Sequence, residues 1–253
     1  EWLYRFFKHP FNNIKQINET QQIIRLIREQ MDEWPLSISN GTVMVVAKFY
    51  NSNIDTIPAT AGYLNAISYK TFHSADYSLI KYSLNHFADF LRGMKKLVEL
   101  LLHEHTPPVL NRLLLRAADL IGREEANELS NREEGKIFSI TETIRYGRFL
   151  KHKFRNQTLE LINIFGKMDA WYSMAAAMKH YDLCFPEMTG GDTPYISAKG
   201  LYHVLLPTPV PYDVQMNIES NFIFLTGANM AGKSTFIKAM GSAVFLAHLG
   251  MGV

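Results

Sequence analysis

Cysteine is almost absent: Cys184 stands alone in 253 residues. An internal disulfide is therefore excluded, and a reducing compartment, the cytoplasm, is the expected setting. A dominant charge sign is also missing. The 26 Lys+Arg and 24 Asp+Glu leave a net charge of +2, which excludes a strongly basic nucleic-acid arm. A composition of 47% hydrophobic and 20% charged residues excludes a disordered tail. Long apolar runs are lacking too. Val43–Ala47 and Ser242–Leu246 fall far short of the roughly 20 residues a membrane span needs, so no membrane is expected. The opening Glu1-Trp2-Leu3-Tyr4-Arg5 is not a signal peptide and has no initiator Met. The expectation is a piece of a longer protein.

Proline is missing between Pro108 and Pro186, which is where long helices can run unbroken. Upstream, Asn13 to about Trp34 reads as helix: Ile14, Ile17, Gln21, Ile24 and Ile27 keep helical spacing, with Asn12 or Asn13 as cap. Residues 36–76 are ambiguous. Val43–Val46 has β-branched character, whereas Tyr63–Tyr69 suits a helix. Tyr77 to about Leu102 is helical, with Leu79/Ile80, Leu84, Phe87, Phe90/Leu91, Met94 and Leu97/Val98 on one stripe. Pro107-Pro108 stops it, and a short helix over 108–121 ends at Gly122.

From about Asn131 to His180, Leu161, Phe165, Met168, Tyr172 and Ala175 step by four and three. An unbroken helix there would reach roughly 75 Å at 1.5 Å per residue. That length suggests a strut, a lever or a coiled-coil arm, with Gly147 and Gly166 as points of division. Phe165, Met168, Trp171, Tyr172 and Met174 read as core, and Cys184 as a buried small hydrophobe. Past Pro186 the character changes. Gly190–Pro194 is a loop by composition, and Tyr195–Ser197, Leu201–Leu206 and Asp213–Ile218 look like short strands. The expected domains are 1–190, helical, and 191–253.

Phe222-Ile223-Phe224-Leu225-Thr226 suits a buried parallel strand. It leads into Gly227-Ala228-Asn229-Met230-Ala231-Gly232-Lys233-Ser234 and then a helix from Thr235 to about Leu249. This is G-x-x-x-x-G-K-[ST], the phosphate-binding loop, in strand–loop–helix context. Gly227 and Gly232 allow backbone that a side chain would block. The loop amides and helix N-terminus cradle phosphate oxygens. Lys233 places a charge on the β- and γ-phosphates, and the Ser234 hydroxyl is the expected Mg²⁺ ligand.

Two other groupings carry less. His103-Glu104-His105 lacks the spacing that sets two His on one helix face, and reads as a solvated helix end. Arg145, Arg148, Lys151 and Arg155 step along one face of the long helix. They can meet phosphates, but a solvated face paired with acidic neighbours is the favoured reading. No Ser-His-Asp or paired-carboxylate arrangement is evident.

Thr226–Thr235, with Asn229-Met230 inside it, resembles the Thr-Gly-Pro-Asn-Met-Gly/Ala-Gly-Lys-Ser-Thr loop of the MutS family of DNA mismatch-repair ATPases; Ala228 replaces the usual Pro. Val210-Pro211-Tyr212-Asp213 is similar to the family's Phe-(Ile/Val)-Pro-Asn-Asp segment, with Tyr212 for Asn. The family's adenine-stacking aromatic falls at Pro209, and Tyr212 is the alternative aromatic face. Tyr202-His203 falls where the family has Arg-His-Pro. Asp169–Ala175, with Tyr181 and Phe185-Pro186, resembles the segment closing the family's lever helix. Arg5-Phe6-Phe7…Pro10…Ile17…Gln21 resembles the opening of its core domain.

The resemblance implies a mainly α core and lever domain followed by the beginning of an α/β P-loop (ABC-type) ATPase domain. It implies ATP or ADP with Mg²⁺ as cofactors, bound by Gly227, Ala228, Asn229, Met230, Ala231, Gly232, Lys233, Ser234 and Thr235, with Lys233 and Ser234 catalytic. Duplex DNA is the implied partner, and a homodimer the implied full-length state, because the family's signature loop comes from the partner subunit. No mismatch-reading domain or Phe-x-Glu wedge is evident, and the lever is too short for a full DNA clamp. The family's downstream acidic motif lies beyond Val253, so the chain alone is expected to be inactive. The alternative is a regulatory or scaffold ATPase whose lever grips a protein instead of DNA. A small-molecule kinase shares the loop but is disfavoured by Asn229-Met230.

Overall fold

The computed structural model describes every residue except Asp55 and Asp192; Asp192 of the expected Gly190–Pro194 loop thus lies outside the described residues. In chain order the helices are α1 (Trp2–Lys8), α2 (Ile14–Glu29), α3 (Asn40–Phe49), α4 (Tyr63–Phe72), α5 (Ser74–Leu101), α6 (Pro108–Ile121), α7 (Glu124–Ser130), α8 (Ile140–Arg148), α9 (Arg155–His180) and α10 (Lys233–His248). A 3-10 turn covers Met31–Glu33, and a π-helical segment, Phe149–Lys153, follows α8. Strands β1 (Ile196–Leu201) and β2 (Tyr212–Met216) form an antiparallel pair with a register irregularity between Ala198 and Leu201.

Packing divides the chain into two compact units, Glu1–Glu29 with Asp169–Val253, and Gln30–Met168. The expected 190/191 boundary falls inside the first unit.

In the unit 30–168, α5 is the central element, packing against α3, α6, α7 and α8. Of its expected stripe, Ile80, Leu84, Phe87, Phe90, Leu91, Met94 and Leu97 are buried, while Leu79 is exposed and Val98 half-buried. The β-branched Val43–Val46 run is helical, not extended. Ser39 caps α3 by accepting a hydrogen bond from the Thr42 amide at 3.1 Å, and Val46 and Phe49 are buried. Burial against α5 outweighs the modest helix penalty of β-branched residues. Two close approaches need glycine. A Cβ on Gly93 would lie 2.4 Å from Ile38 Cγ1, and one on Gly147 would lie 2.5 Å from Ile80 Cγ2.

The single rod expected over 131–180 is not formed. Residues 131–139 are non-helical, α8 begins only at Ile140, and the π segment separates it from α9. Ser139 and Glu142 form a capping box that starts α8. The break lies just after Gly147, whereas Gly166 sits inside α9 without interrupting it. The 26 residues of α9 span roughly 39 Å. Leu161, Phe165, Met168 and Ala175 are buried within the chain's own units, so the stripe is core and not a coiled-coil seam. Trp171 and Met174 are buried as expected, while Tyr172 is half-exposed.

In the other unit, Phe6 of α1 stacks on Trp171, with ring centroids 5.7 Å apart. The Asn13 side chain accepts from the Lys15 amide at 2.8 Å and caps α2. Ile17, Ile24 and Ile27 are buried, and Gln21 Nε2 donates to the Pro186 carbonyl at 3.0 Å. Cys184 is exposed, not buried. Its backbone pairs reciprocally with Val253 (3.2 and 2.9 Å), which holds the residue at the surface. The Leu201–Leu206 strand is also corrected, since β1 ends at Leu201 and a turn follows.

Candidate phosphate-loop site

The β1–β2 hairpin lies on α10. Leu201, Val214 and Ala239 are buried together, with Tyr212, Phe236 and Met240 packed around them. Tyr212 meets Phe236 edge-on, with centroids 5.4 Å apart at 85°. This contact fixes β2 beside the first turn of α10, and a Cβ on Gly232 would lie 3.7 Å from the Tyr212 hydroxyl.

The loop between the hairpin and α10 takes backbone that few residues tolerate. Gly227 has φ +149°, Met230 φ +68° and Gly232 φ +85°. Gly232 is the N-cap of α10 and brings no capping side chain. The first-turn amides of Lys233, Ser234 and Thr235 therefore have no intrahelical acceptor and face the positive end of a 16-residue helix. Ala231 N–H donates to the Ala228 carbonyl at 3.3 Å, closing a turn that leaves Asn229 and Met230 exposed. The Lys233 ammonium folds back over the loop and donates to the carbonyls of Gly227 and Ala228 at 2.6 and 2.7 Å. Ser234 is exposed and Thr235 half-exposed. Gly227 to Thr235 are thus one short, surface-accessible loop and helix start. A cationic group sits over its mouth and donor amides lie at its base, a donor set that fits an anion.

The strand expected over Phe222–Thr226 is not present. The segment pairs with no strand among the described residues, and Phe222 and Phe224 are 76% and 80% exposed. A parallel strand needs neighbours to receive its hydrogen bonds, and β1–β2 is the two-stranded sheet described. Ile223 and Leu225 instead line an open groove of about 900 Å³ with Phe11, Met216, Met240 and Phe245.

The other sequence candidates lie elsewhere. His103, Glu104 and His105 are exposed in the turn after α5, and no group of three metal-ligating side chains occurs among the described residues. The four cations of the expected basic face do not share one straight helix, because Lys151 lies in the π segment. Arg145 pairs with Glu128 and with the Tyr146 hydroxyl. That hydroxyl first, and Arg145 beside it, hold the Glu128 carboxyl below its usual range, while burial pushes the Tyr146 phenol up to about 12. Lys151 Nζ donates to the Phe49 and Ser52 carbonyls at 3.0 and 2.9 Å; burial, then Arg155, lowers its pKa. Arg155 lies over the Tyr50 ring at 5.9 Å. No helix among the described residues is long and apolar enough to cross a membrane.

The class these observations define is a helical protein with a phosphate-loop sequence at the head of its last helix. No family model matches the chain. It is 31% identical over 144 residues to the DNA mismatch repair protein MSH6 of Arabidopsis thaliana, covering 51% of this chain and 11% of that protein. A mitochondrial DNA mismatch repair protein mutS homolog of Sarcophyton glaucum is 24% identical over 257 residues, covering 96% of this chain and 23% of that protein. The DNA mismatch repair protein MutS of Chlorobium phaeobacteroides is 32% identical over 93 residues, 34% of this chain and 11% of its own length. These similarities are to DNA mismatch repair proteins of the MutS type, and the chain spans between about a tenth and a quarter of the length of these relatives.

Proposed function

We propose that this chain carries the nucleotide-binding loop of a MutS-like ATPase that acts in DNA mismatch repair or a related DNA transaction. In this reading residues 1–190 are the helical core and lever domain, and residues 191–253 begin the ATPase domain. The observation that carries the reading is the loop itself: three positive-φ residues, an N-cap without a side chain, and Lys233 held over the loop carbonyls.

ATP or ADP with Mg²⁺ is the proposed occupant, and ATP when bound supplies the transferable γ-phosphoryl group. The chain's own residues do the holding. The loop amides and the first-turn amides of Lys233, Ser234 and Thr235 would hold the phosphates, Lys233 would exchange two backbone carbonyls for phosphate oxygens, and the Ser234 hydroxyl would ligate the metal. Asn229 and Met230 present the exposed rim. Tyr212, fixed against Phe236, offers the aromatic face that Pro209 cannot. Catalysis of this kind rests on positioning and charge neutralisation.

The exposed 222–225 run and its apolar groove suit pairing in a larger sheet, which the length of the relatives accommodates. A homodimer and duplex DNA are part of the same proposal, as is a cytoplasmic setting. The experiment is a titration of the chain with a fluorescent ATP analogue and Mg²⁺ beside Lys233→Ala. Saturable binding, weakened at least tenfold in the variant, is expected; equal binding by the two would place the nucleotide elsewhere.

A further inference from the structure

The net charge of +2 hides a strongly basic stretch. Residues 143–159 hold five Lys/Arg and no Asp/Glu, so the remainder of the chain is net negative. The α-to-π switch at Phe149–Lys153 lies in the middle of this stretch. A π turn adds a residue to the helical repeat and re-aims the side chains after it, and such turns recur at functional sites.

The structure sorts the five cations into two sets. Lys151 and Arg155 turn to the end of α3, where backbone carbonyls and the Tyr50 ring engage them. Arg145, Arg148 and Lys153 line a separate pocket of about 190 Å³, with Pro58, Ala59 and Glu125 among its other walls. Arg145 is already committed to Glu128. Among the described residues that line the pocket, Arg148 and Lys153 are thus the cations left, against the carboxylate of Glu125. The volume corresponds to about six waters at 30 Å³ each. That admits a phosphate group with part of its hydration shell and not a stacked base pair.

We propose that this pocket seats one phosphate of a DNA backbone, with the Arg148 guanidinium as a fork and the Lys153 ammonium as a point charge. The site is separate from the Gly227–Thr235 loop, and the proposal rests on the reading of DNA as a partner. Phosphate contact positions a duplex without reading its sequence, so recognition here is independent of mismatch.

The test is fluorescence anisotropy of the chain with a labelled duplex across a salt series. The Arg148→Ala/Lys153→Ala double variant is compared with wild type and with Lys199→Ala/Lys238→Ala, which removes equal charge from exposed positions in the other unit. Loss of one seated phosphate lowers the slope of log K against log salt by about 0.9. The expected result is several-fold weaker binding and that shallower slope in the pocket variant only. Glu125→Gln is expected to strengthen binding, a gain that misfolding does not produce. Wild-type affinity and slope in the pocket variant would overturn the site while leaving DNA as a partner. Equal losses in both double variants would reduce it to bulk charge. A wild-type chain with no salt-dependent duplex binding would overturn both the site and the DNA reading. Inhibition of anisotropy by inorganic phosphate, with no effect of duplex length, would assign the pocket to free phosphate and also overturn it.

Discussion

Glu142→Gln tests how α8 is started and held. Glu142 accepts from Arg132 Nη1 at 2.9 Å and from the Ser139 amide at 2.8 Å, while its own amide donates to Ser139 Oγ at 3.2 Å. Arg132 is the more buried partner, its side chain 10% exposed against 34% for Glu142, and it lies 4.0 Å from the Phe138 ring centre. Arg132 first, and the Ser139 bonds after it, hold the Glu142 carboxyl at about 2, well below its usual 4.5. At 1.36 kcal/mol per pH unit that drop is worth about 3.4 kcal/mol. With a third of the side chain in water, screening leaves about 2 kcal/mol. A depressed carboxylate stabilises fully above its unfolded pKa, and the contribution is lost as pH falls from 4.5 towards 2. Urea unfolding at pH 7 should therefore show the variant about 2 kcal/mol less stable, with Tm lower by roughly 4–8 °C. By pH 3 the gap should shrink to less than half. A gap of equal size at both pH values, or none at pH 7, would refute the reasoning.

Gly147→Ala places a methyl 2.5 Å from Ile80 Cγ2; the overpacking should outweigh the gain in helix propensity and cost about 1–2 kcal/mol in urea unfolding. Ile80→Ala, which removes Cγ2, should cost less in the Gly147→Ala background than in the wild-type protein. Tyr50→Phe removes the 2.7 Å bond from the buried Tyr50 hydroxyl to Thr158 Oγ1. Thr158 keeps its own bond to the Phe154 carbonyl, so the cost should be about 1 kcal/mol by the same assay.

The helices that could be read in the sequence are those whose own stripe decides their burial. Ile17, Ile24 and Ile27 in α2, and the Leu84–Phe87–Leu91–Met94 run in α5, are apolar at helical spacing and buried at that spacing. Where partners decide, the reading changed. Val43–Val46 looks extended until α5 covers it. The Phe222–Thr226 run has strand composition, but composition supplies no neighbouring strand, and its side chains remain exposed. The π segment contains neither Gly nor Pro, so nothing in Phe149–Lys153 marks the break. The box Ser139-x-x-Glu142, whose first member directly precedes Ile140, was the sequence signal available for ending the long rod there.

At the candidate site, the glycines and Lys233 were legible because each has a conformational or charge requirement that few residues meet. The folding of Lys233 onto the Gly227 and Ala228 carbonyls was not, since any flexible ammonium takes the acceptors that the surrounding backbone offers. Lys153 escaped the basic face for a similar reason: regular helical spacing puts it off the stripe of Arg145 and Arg148, and the π turn brings it to the same pocket.

The central claim is that Gly227–Thr235 holds phosphate, and the most direct measurement is affinity down a phosphate series. ATP, ADP, AMP and adenosine are titrated with Mg²⁺ into the wild-type chain and into Lys233→Ala. The account predicts affinity falling at each lost phosphate, none detectable for adenosine, and a series flattened in the variant. Adenosine binding as tightly as ATP, with the variant unchanged, would contradict it.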